Sequence, residues 1–262
     1  MKIREIIGAL EQFAPLSLQD GFDNAGMQIG LTVDAESSGV LLCLDVTEEV
    51  VEEASEKGCD LIVSHHPLIF HAPKRLTGED YVQRTIIKAI QKGINVYASH
   101  TNLDNAPGGV NWKIAERLGL KDCKFFAQKT VDGLEAGSGV VGELPSEMDA
   151  RAFIELVKKQ FGVQCAQCNA LLERPIRKVA ICGGAGDFLL PDAISQDADA
   201  FITGEMHYHQ YFGTEQQIQI CVIGHYQSEQ FTSEIFRDII LKECPDVRTE
   251  IAETCTNPIY YY

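Results

Sequence analysis

The sequence predicts an α/β fold with parallel strands, on three observations. Short apolar runs of strand length alternate with helical patterns: residues 40–45, a helix opening at Thr47, then residues 60–64. Strand, helix and strand at this spacing form a βαβ unit, and its two strands lie parallel. The strands also end in clusters of polar, ligand-type residues, and open α/β sheets keep their sites at that end.

Each element has its own local reason. Ile3, Ile6, Ile7 and Leu10 share one face of a first helix that stops before Pro15. The turn-rich stretch from Asp20 to Gly30 reads as a loop. Thr47 offers an N-cap, with Glu48 and Glu49 in the first turn where acids favour the dipole, and Gly58 closes that helix. The run Asp60-Leu61-Ile62-Val63-Ser64 then delivers His65 and His66 at its end. Neighbours within a strand point to opposite faces, so this pair can share one site only where the strand breaks. Pro67 supplies the break: it cannot donate to a ladder and drives His66 into an extended or turn conformation.

A helix over residues 81–92 and a strand over 94–98 repeat the unit, and the strand ends in Ser99-His100-Thr101-Asn102-Leu103-Asp104. Gly108 and Gly109 precede a helix with Trp112, Ile114, Ala115 and Leu118. The less regular stretch 121–139 marks the boundary between a first unit, residues 1–126, and a second, 127–262. In the second, Ser146-Glu147-Met148-Asp149 resembles a capping box for a helix to Phe161, and strands are expected at 163–167, 178–182, 200–203 and 218–223. The turn Gly183-Gly184-Ala185-Gly186-Asp187 matches neither a Walker A loop nor G-x-G-x-x-G, and reads as a tight strand-to-helix turn. His207 and His209 would face about 200° apart on a helix, so at most one of them belongs to a site. His225 and Glu229, four apart at a helix start, share a face.

Composition removes several function classes. A formal charge of −16 disfavours nucleic acid and anionic membranes as partners. No run reaches the length of a membrane span and the N-terminus has no signal-peptide core, so a cytoplasmic protein is expected. Nine cysteines, an odd number, read as reduced thiols. Cys165-Ala166-Gln167-Cys168 is a lone C-x-x-C with no second pair and no thioredoxin-like setting, so neither a zinc ribbon nor a redox role is expected of it.

Three strand ends therefore carry His65-His66, His100 to Asp104, and His225 to Glu229. Imidazoles and carboxylates without a thiolate suit Zn, Fe, Mn, Co or Ni. Five or six such ligands exceed what one ion with an open position needs, whereas two ions with bridging carboxylates use that number well. His100 is a further imidazole in the second of these clusters.

The same residues carry a resemblance. Asp23-Asn24-Ala25-Gly26-Met27-Gln28-Ile29-Gly30, Ser64-His65-His66-Pro67-Leu68, His100-Thr101-Asn102-Leu103-Asp104, Thr203-Gly204-Glu205 with His209, and Gly224-His225-Tyr226 with Glu229 are similar, in order and spacing, to the Nif-three-like family. That family is often labelled GTP cyclohydrolase I, type-two homologue. Phe22 stands where the family has a tryptophan and Met27 where it has a leucine, and the chain is too short for the inserted domain some relatives carry. The resemblance implies two interlinked α/β units with largely parallel sheets and a shared metal site at the strand carboxyl ends. It implies His65, His66, Asp104, His225 and Glu229 as ligands of two divalent ions, with His100 close by to orient a ligand or, as a catalytic group, to transfer a proton, and a toroidal homohexamer. It points to a metal-dependent hydrolase of a nucleotide-like or phosphorylated small molecule, with GTP ring opening as the candidate. The alternative is a metal-storing, metal-delivering or regulatory binding protein.

Overall fold

The computed structural model describes residues 1–260 and 262. It is an α/β structure with two sheets, one in each of two compact units: residues 1–103 with 232–262, and residues 104–231. The sequence places the boundary at residue 126, but the chain divides at Leu103/Asp104 and crosses back at Phe231/Thr232. The reason lies in two strands. Lys121–Val131 pairs within the second sheet, and Thr249–Ile251 returns to the first.

In the first unit the strand order is Gly26–Ile29, Asn95–Ala98, Leu61–Ser64, Val40–Cys43, Thr249–Ile251. All neighbours run parallel except Gly26–Ile29, which adds antiparallel to Asn95–Ala98 at one edge. The three central strands are buried at every position. Strands covered on both faces read as continuous apolar runs, as these do. Leu41, Cys43, Ile62 and Val96 face one layer, packing with Val50, Val51 and Ala54 of helix Glu48–Glu56 and with Ile86 and Ala89 of helix Tyr81–Lys92. On the opposite side, helix Thr232–Glu243 packs on strand Val40–Cys43 and against helix Ile3–Phe13, whose Glu11 accepts a hydrogen bond from buried Tyr97. Each fully buried Val, Leu or Ile in these layers contributes about 1.5–3 kcal/mol of transfer free energy. The Thr47 cap matches the sequence, its hydroxyl accepting from Val50 N at 3.3 Å, and the Asp80 carboxylate caps the next helix, accepting from Gln83 N at 2.8 Å.

The second unit has the order Lys121–Val131, Leu134–Met148, Ile176–Cys182, Ala200–Thr203, Gln219–Val222, Gln167–Cys168. Only its centre, from Ile176–Cys182 to Gln219–Val222, is parallel. The irregular stretch at the supposed boundary is a long antiparallel hairpin, turned by Asp132 and Gly133 at φ 52° and 81°. Two left-handed residues in a two-residue loop match the twist of the flanking strands. Three local expectations shift as a result. Met148 still belongs to the strand, so Asp149 rather than Ser146 caps helix Ala150–Phe161, accepting from Ala152 N at 2.9 Å. The strand expected at 163–167 is the two-residue edge Gln167–Cys168. The last helix breaks after Glu229 and restarts at Thr232. Among the described residues no helix is long and apolar enough to cross a membrane.

Candidate metal centre

In the first unit the strand Leu61–Ser64 ends in a bend that sets both histidines on one side. His65 N donates to Cys43 O at 3.3 Å and His66 N to Leu44 O at 3.0 Å, so the backbone follows its neighbour beyond the strand. The Ser64 hydroxyl closes the bend by donating to His66 O at 2.9 Å. Strand Asn95–Ala98 ends next door and presents His100. The ring centroids of His65, His66 and His100 lie 4.9–5.4 Å apart. One nitrogen from each lies within 4.8 Å of the other two, a spacing that could hold a metal ion.

The tautomers of these rings are set from behind. His65 Nδ1 lies 3.0 Å from the backbone oxygen of Ser99, which can only accept, so Nδ1 carries the proton. His66 Nδ1 lies 2.7 Å from Asp45 Oδ1, and His100 Nδ1 2.8 Å from Asp23 Oδ1. Both carboxyls are ionised acceptors. Burial raises that of Asp23, but hydrogen bonds from His100 and Thr101 overcome this and bring it to about 2. Burial likewise raises Asp45, and the bonds from His66 and Thr256 leave it below the ordinary range. An oxygen acceptor on Nδ1 makes Nε2 the lone-pair nitrogen in all three rings, the arrangement that metal-ligating histidines adopt.

The second unit holds a matching group. Gly224, at φ 96°, starts the short helix His225–Glu229 straight after strand Gln219–Val222. His225 Nδ1 lies 2.7 Å from Glu205 Oε1, and its Nε2 lies 3.1 Å from Glu229 Oε2. The buried Glu229 carboxylate and the Asp104 carboxylate lie within 4.8 Å of each other. Two carboxylates that close, one of them buried, repel unless a proton or a cation sits with them. The Gly183-Gly184 turn has its explanation here. Gly184, at φ 61°, donates its N–H to the Ser228 hydroxyl at 3.0 Å, and its carbonyl accepts from Gly204 N and Glu205 N. A Cβ at Gly184 would run into Glu229 Oε1 and come within 3.4 Å of His225 Nε2. The turn is glycine because the candidate ligands lie on it.

The structure therefore groups His65 and His66 with His100 in one unit, and in the other brings Glu229 close to Asp104 and to His225. His100 lies in the same group as His65 and His66. His207 and His209 stay outside both groups: His207 is exposed and pairs with Asp187, and His209 meets Tyr208 and Phe212 edge-on. The sequence does not reveal the orienting acids Asp23, Asp45 and Glu205. Asp23 and Glu205 lie inside the family-like motifs, yet nothing local announces their partners. Asp45, at the end of an apolar strand, carried the same positional signal as His65.

Histidines anchored at Nδ1 and standing at the strand ends of an α/β fold define a class of protein with side chains that could hold a metal ion. The family comes from comparison with known proteins. The model for DUF34/NIF3 (NGG1p interacting factor 3) matches residues 1–258, and the chain belongs to that family. A Clostridium perfringens protein curated as "GTP cyclohydrolase 1 type 2 homolog" is 40% identical over 87% of this chain and 87% of its own length. A "Protein NIF3 homolog" of Schizosaccharomyces pombe is 34% identical over 81% of this chain and 79% of its own. Among solved structures, a hypothetical protein of Staphylococcus aureus superposes with a TM-score of 0.91 at 29% identity, covering 100% of this chain and 99% of that one. Reduced HcgD from Methanocaldococcus jannaschii follows at 0.79 and 26%, over 97% and 98%.

Proposed function

We propose that the chain binds two divalent transition-metal ions through His65, His66, Asp104, His225 and Glu229, and hydrolyses a nucleotide-like or phosphorylated small molecule. The observation that carries this reading is the set of oxygens behind the rings. Ser99 O, Asp45, Asp23 and Glu205 each hold a histidine Nδ1, which turns each Nε2 into a lone-pair donor. When bound, such ions lower the pKa of a water towards neutrality and polarise a phosphoryl or carbonyl oxygen. The chain's own part is to hold the donors. Asp45 and Glu205 fix the rings of His66 and His225, and the Gly184 turn supports Glu229. His100, backed by Asp23, is built to accept a proton at Nε2. The name carried by the Clostridium perfringens relative makes GTP the first substrate to try. A homohexamer is proposed as well, from the family resemblance.

The test combines elemental analysis of protein purified without chelators with a screen of GTP, other nucleotides and phosphate monoesters. We expect two ions per chain and metal-dependent hydrolysis of at least one compound. His65→Ala together with His225→Ala should remove the metal and leave the circular-dichroism spectrum intact. One ion or none after reconstitution would overturn the dinuclear reading. Two ions without hydrolysis, but with transfer of metal to an apo-protein acceptor, would assign the chain to metal delivery. Light scattering showing a monomer at micromolar concentration would exclude the hexamer.

A further inference from the structure

Cys168, the second cysteine of the C-x-x-C, has its partner in space and not in the motif. Strand Gln167–Cys168 pairs antiparallel with Gln219–Val222, and Cys168 is the direct partner of Cys221. Directly opposed residues of an antiparallel pair project to the same face with Cα atoms about 4.5–5.5 Å apart, inside the roughly 4.4–6.8 Å that a disulfide spans. Both are free thiols, Cys221 buried and Cys168 partly open, and they hydrogen bond to each other.

Cys168 also lines a cavity of about 560 Å³, with Asn169, Tyr208, Tyr211, Phe212 and Glu215 among its walls. The Tyr211 hydroxyl is buried and finds no hydrogen-bond partner among the described residues. Burial, then the neighbouring Cys168 and Cys221, push that phenol up to about 12, so it stays protonated beside the thiols. The two thiols are unequal. The bond from Cys221 comes first in lowering Cys168, and the charge of Lys158 adds to it, while Cys221 is pushed well up. One cysteine is thus open and disposed to ionise, and the other is shielded and holds its proton. An attacking thiol and a resolving thiol divide the work in the same way.

We propose that Cys168 and Cys221 are a thiol–disulfide exchange pair that reacts, through the aromatic cavity, with a low-molecular-weight disulfide. The Cys168 thiolate attacks one sulfur of the small disulfide R–S–S–R, forms Cys168–S–S–R and expels R–S⁻. Cys221 gives up its proton to the released thiolate and attacks Cys168 Sγ. The bond between Cys168 Sγ and the sulfur of R–S breaks, the Cys168–Cys221 disulfide forms and a second R–S⁻ leaves. Two electrons pass to the small disulfide, which is reduced to two thiols, and the reverse sequence restores the pair. In a reducing compartment such disulfides are transient and catalytic or sensing. The pair lies wholly within the second unit and is independent of the metal reading.

The experiment uses the full chain as purified, equilibrated in glutathione buffers of graded ratio, quenched with iodoacetamide and mapped by peptide mass spectrometry. The expected product is a single Cys168–Cys221 link, unaffected by Cys165→Ser. Cys221→Ser should instead accumulate a mixed disulfide of glutathione on Cys168. Before any oxidation, Cys168 of the unsubstituted chain should alkylate roughly tenfold faster than exposed Cys165 if its thiolate is favoured as argued; this comparison needs no variant to fold. A Cys165–Cys168 link, mixed disulfides confined to Cys165 and Cys255, or Cys168 no faster than Cys165 would each overturn the proposal.

Discussion

His66 Nδ1 lies 2.7 Å from Asp45 Oδ1, and the other oxygen of that carboxylate accepts the Thr256 hydroxyl at 2.6 Å. A residue near the C-terminus therefore steadies the acid that steadies a candidate ligand. An oriented carboxylate behind an imidazole also raises the basicity of the ligating nitrogen. Asp45→Ala should weaken zinc binding about 10- to 100-fold with the fold retained. Asp45→Asn keeps an oxygen for the Nδ1 proton and should cost less. Competition with a chromophoric chelator measures both. Equal affinity in all three proteins would show that Asp45 does not orient the ring.

His100 has two roles open to it, and one substitution separates them. One of its ring nitrogens lies within 4.8 Å of a nitrogen of His65 and of His66, while Asp23 holds Nδ1. In the proposed proton-acceptor role, His100→Ala should lose turnover with metal content and affinity unchanged. Metal affinity falling together with turnover would make it a ligand or a partner of one instead.

Gly184 is the position where backbone and site coincide. A side chain there must adopt φ near 61° and displace the Glu229 carboxylate. The left-handed conformation alone costs about 1–2 kcal/mol for an ordinary residue. Gly184→Ala should therefore lower Tm by several degrees and, more tellingly, lower metal content. Gly162→Ala is the control: it is also left-handed, at φ 66°, but a Cβ there meets nothing within 4 Å. If both variants keep full metal content, the turn does not support the site.

The site was more legible than the sheets that carry it, for physical reasons. His65 and His66 end an apolar run that Pro67 breaks, and His225 and Glu229 are spaced at i and i+4, so local rules expose them. The acids behind the rings sit far away in the chain: Asp23 is 77 residues from His100 and Asp45 is 21 from His66. No local rule couples such pairs. The hairpin over 121–148 carried a usable signal in Asp132-Gly133, but Lys121–Val131 is mostly exposed and glycines interrupt Leu134–Met148, so neither strand has a continuous apolar run. Thr249–Ile251 has only three half-buried residues, and its pairing with Val40–Cys43 is set by tertiary contact alone. The Cys168–Cys221 pair is hidden similarly, since the nearer Cys165 offers the familiar spacing.

The C-terminal segment should also make the protein acid-sensitive. Glu53 accepts from Glu253 N at 2.7 Å, Thr254 N at 2.9 Å and the Thr254 hydroxyl at 2.6 Å, and it pairs with Lys57 at 2.8 Å. Burial raises its carboxyl, but these partners prevail and hold it at about 2, against 4.5 when unperturbed. A carboxylate depressed in the folded state stabilises it fully above the unfolded value and loses that stabilisation as pH falls through the folded one. The window is therefore pH 4.5 down to about 2. With allowance for screening by solvent, the contribution above that window is about 2 kcal/mol. Glu53→Gln should be less stable than the unsubstituted chain by about that amount at pH 7, and the gap should close as pH falls through the window. Urea midpoints at pH 7, 5, 4 and 3 measure it. A gap that stays constant with pH would mean that Glu53 acts through its hydrogen-bonding shape and not its charge.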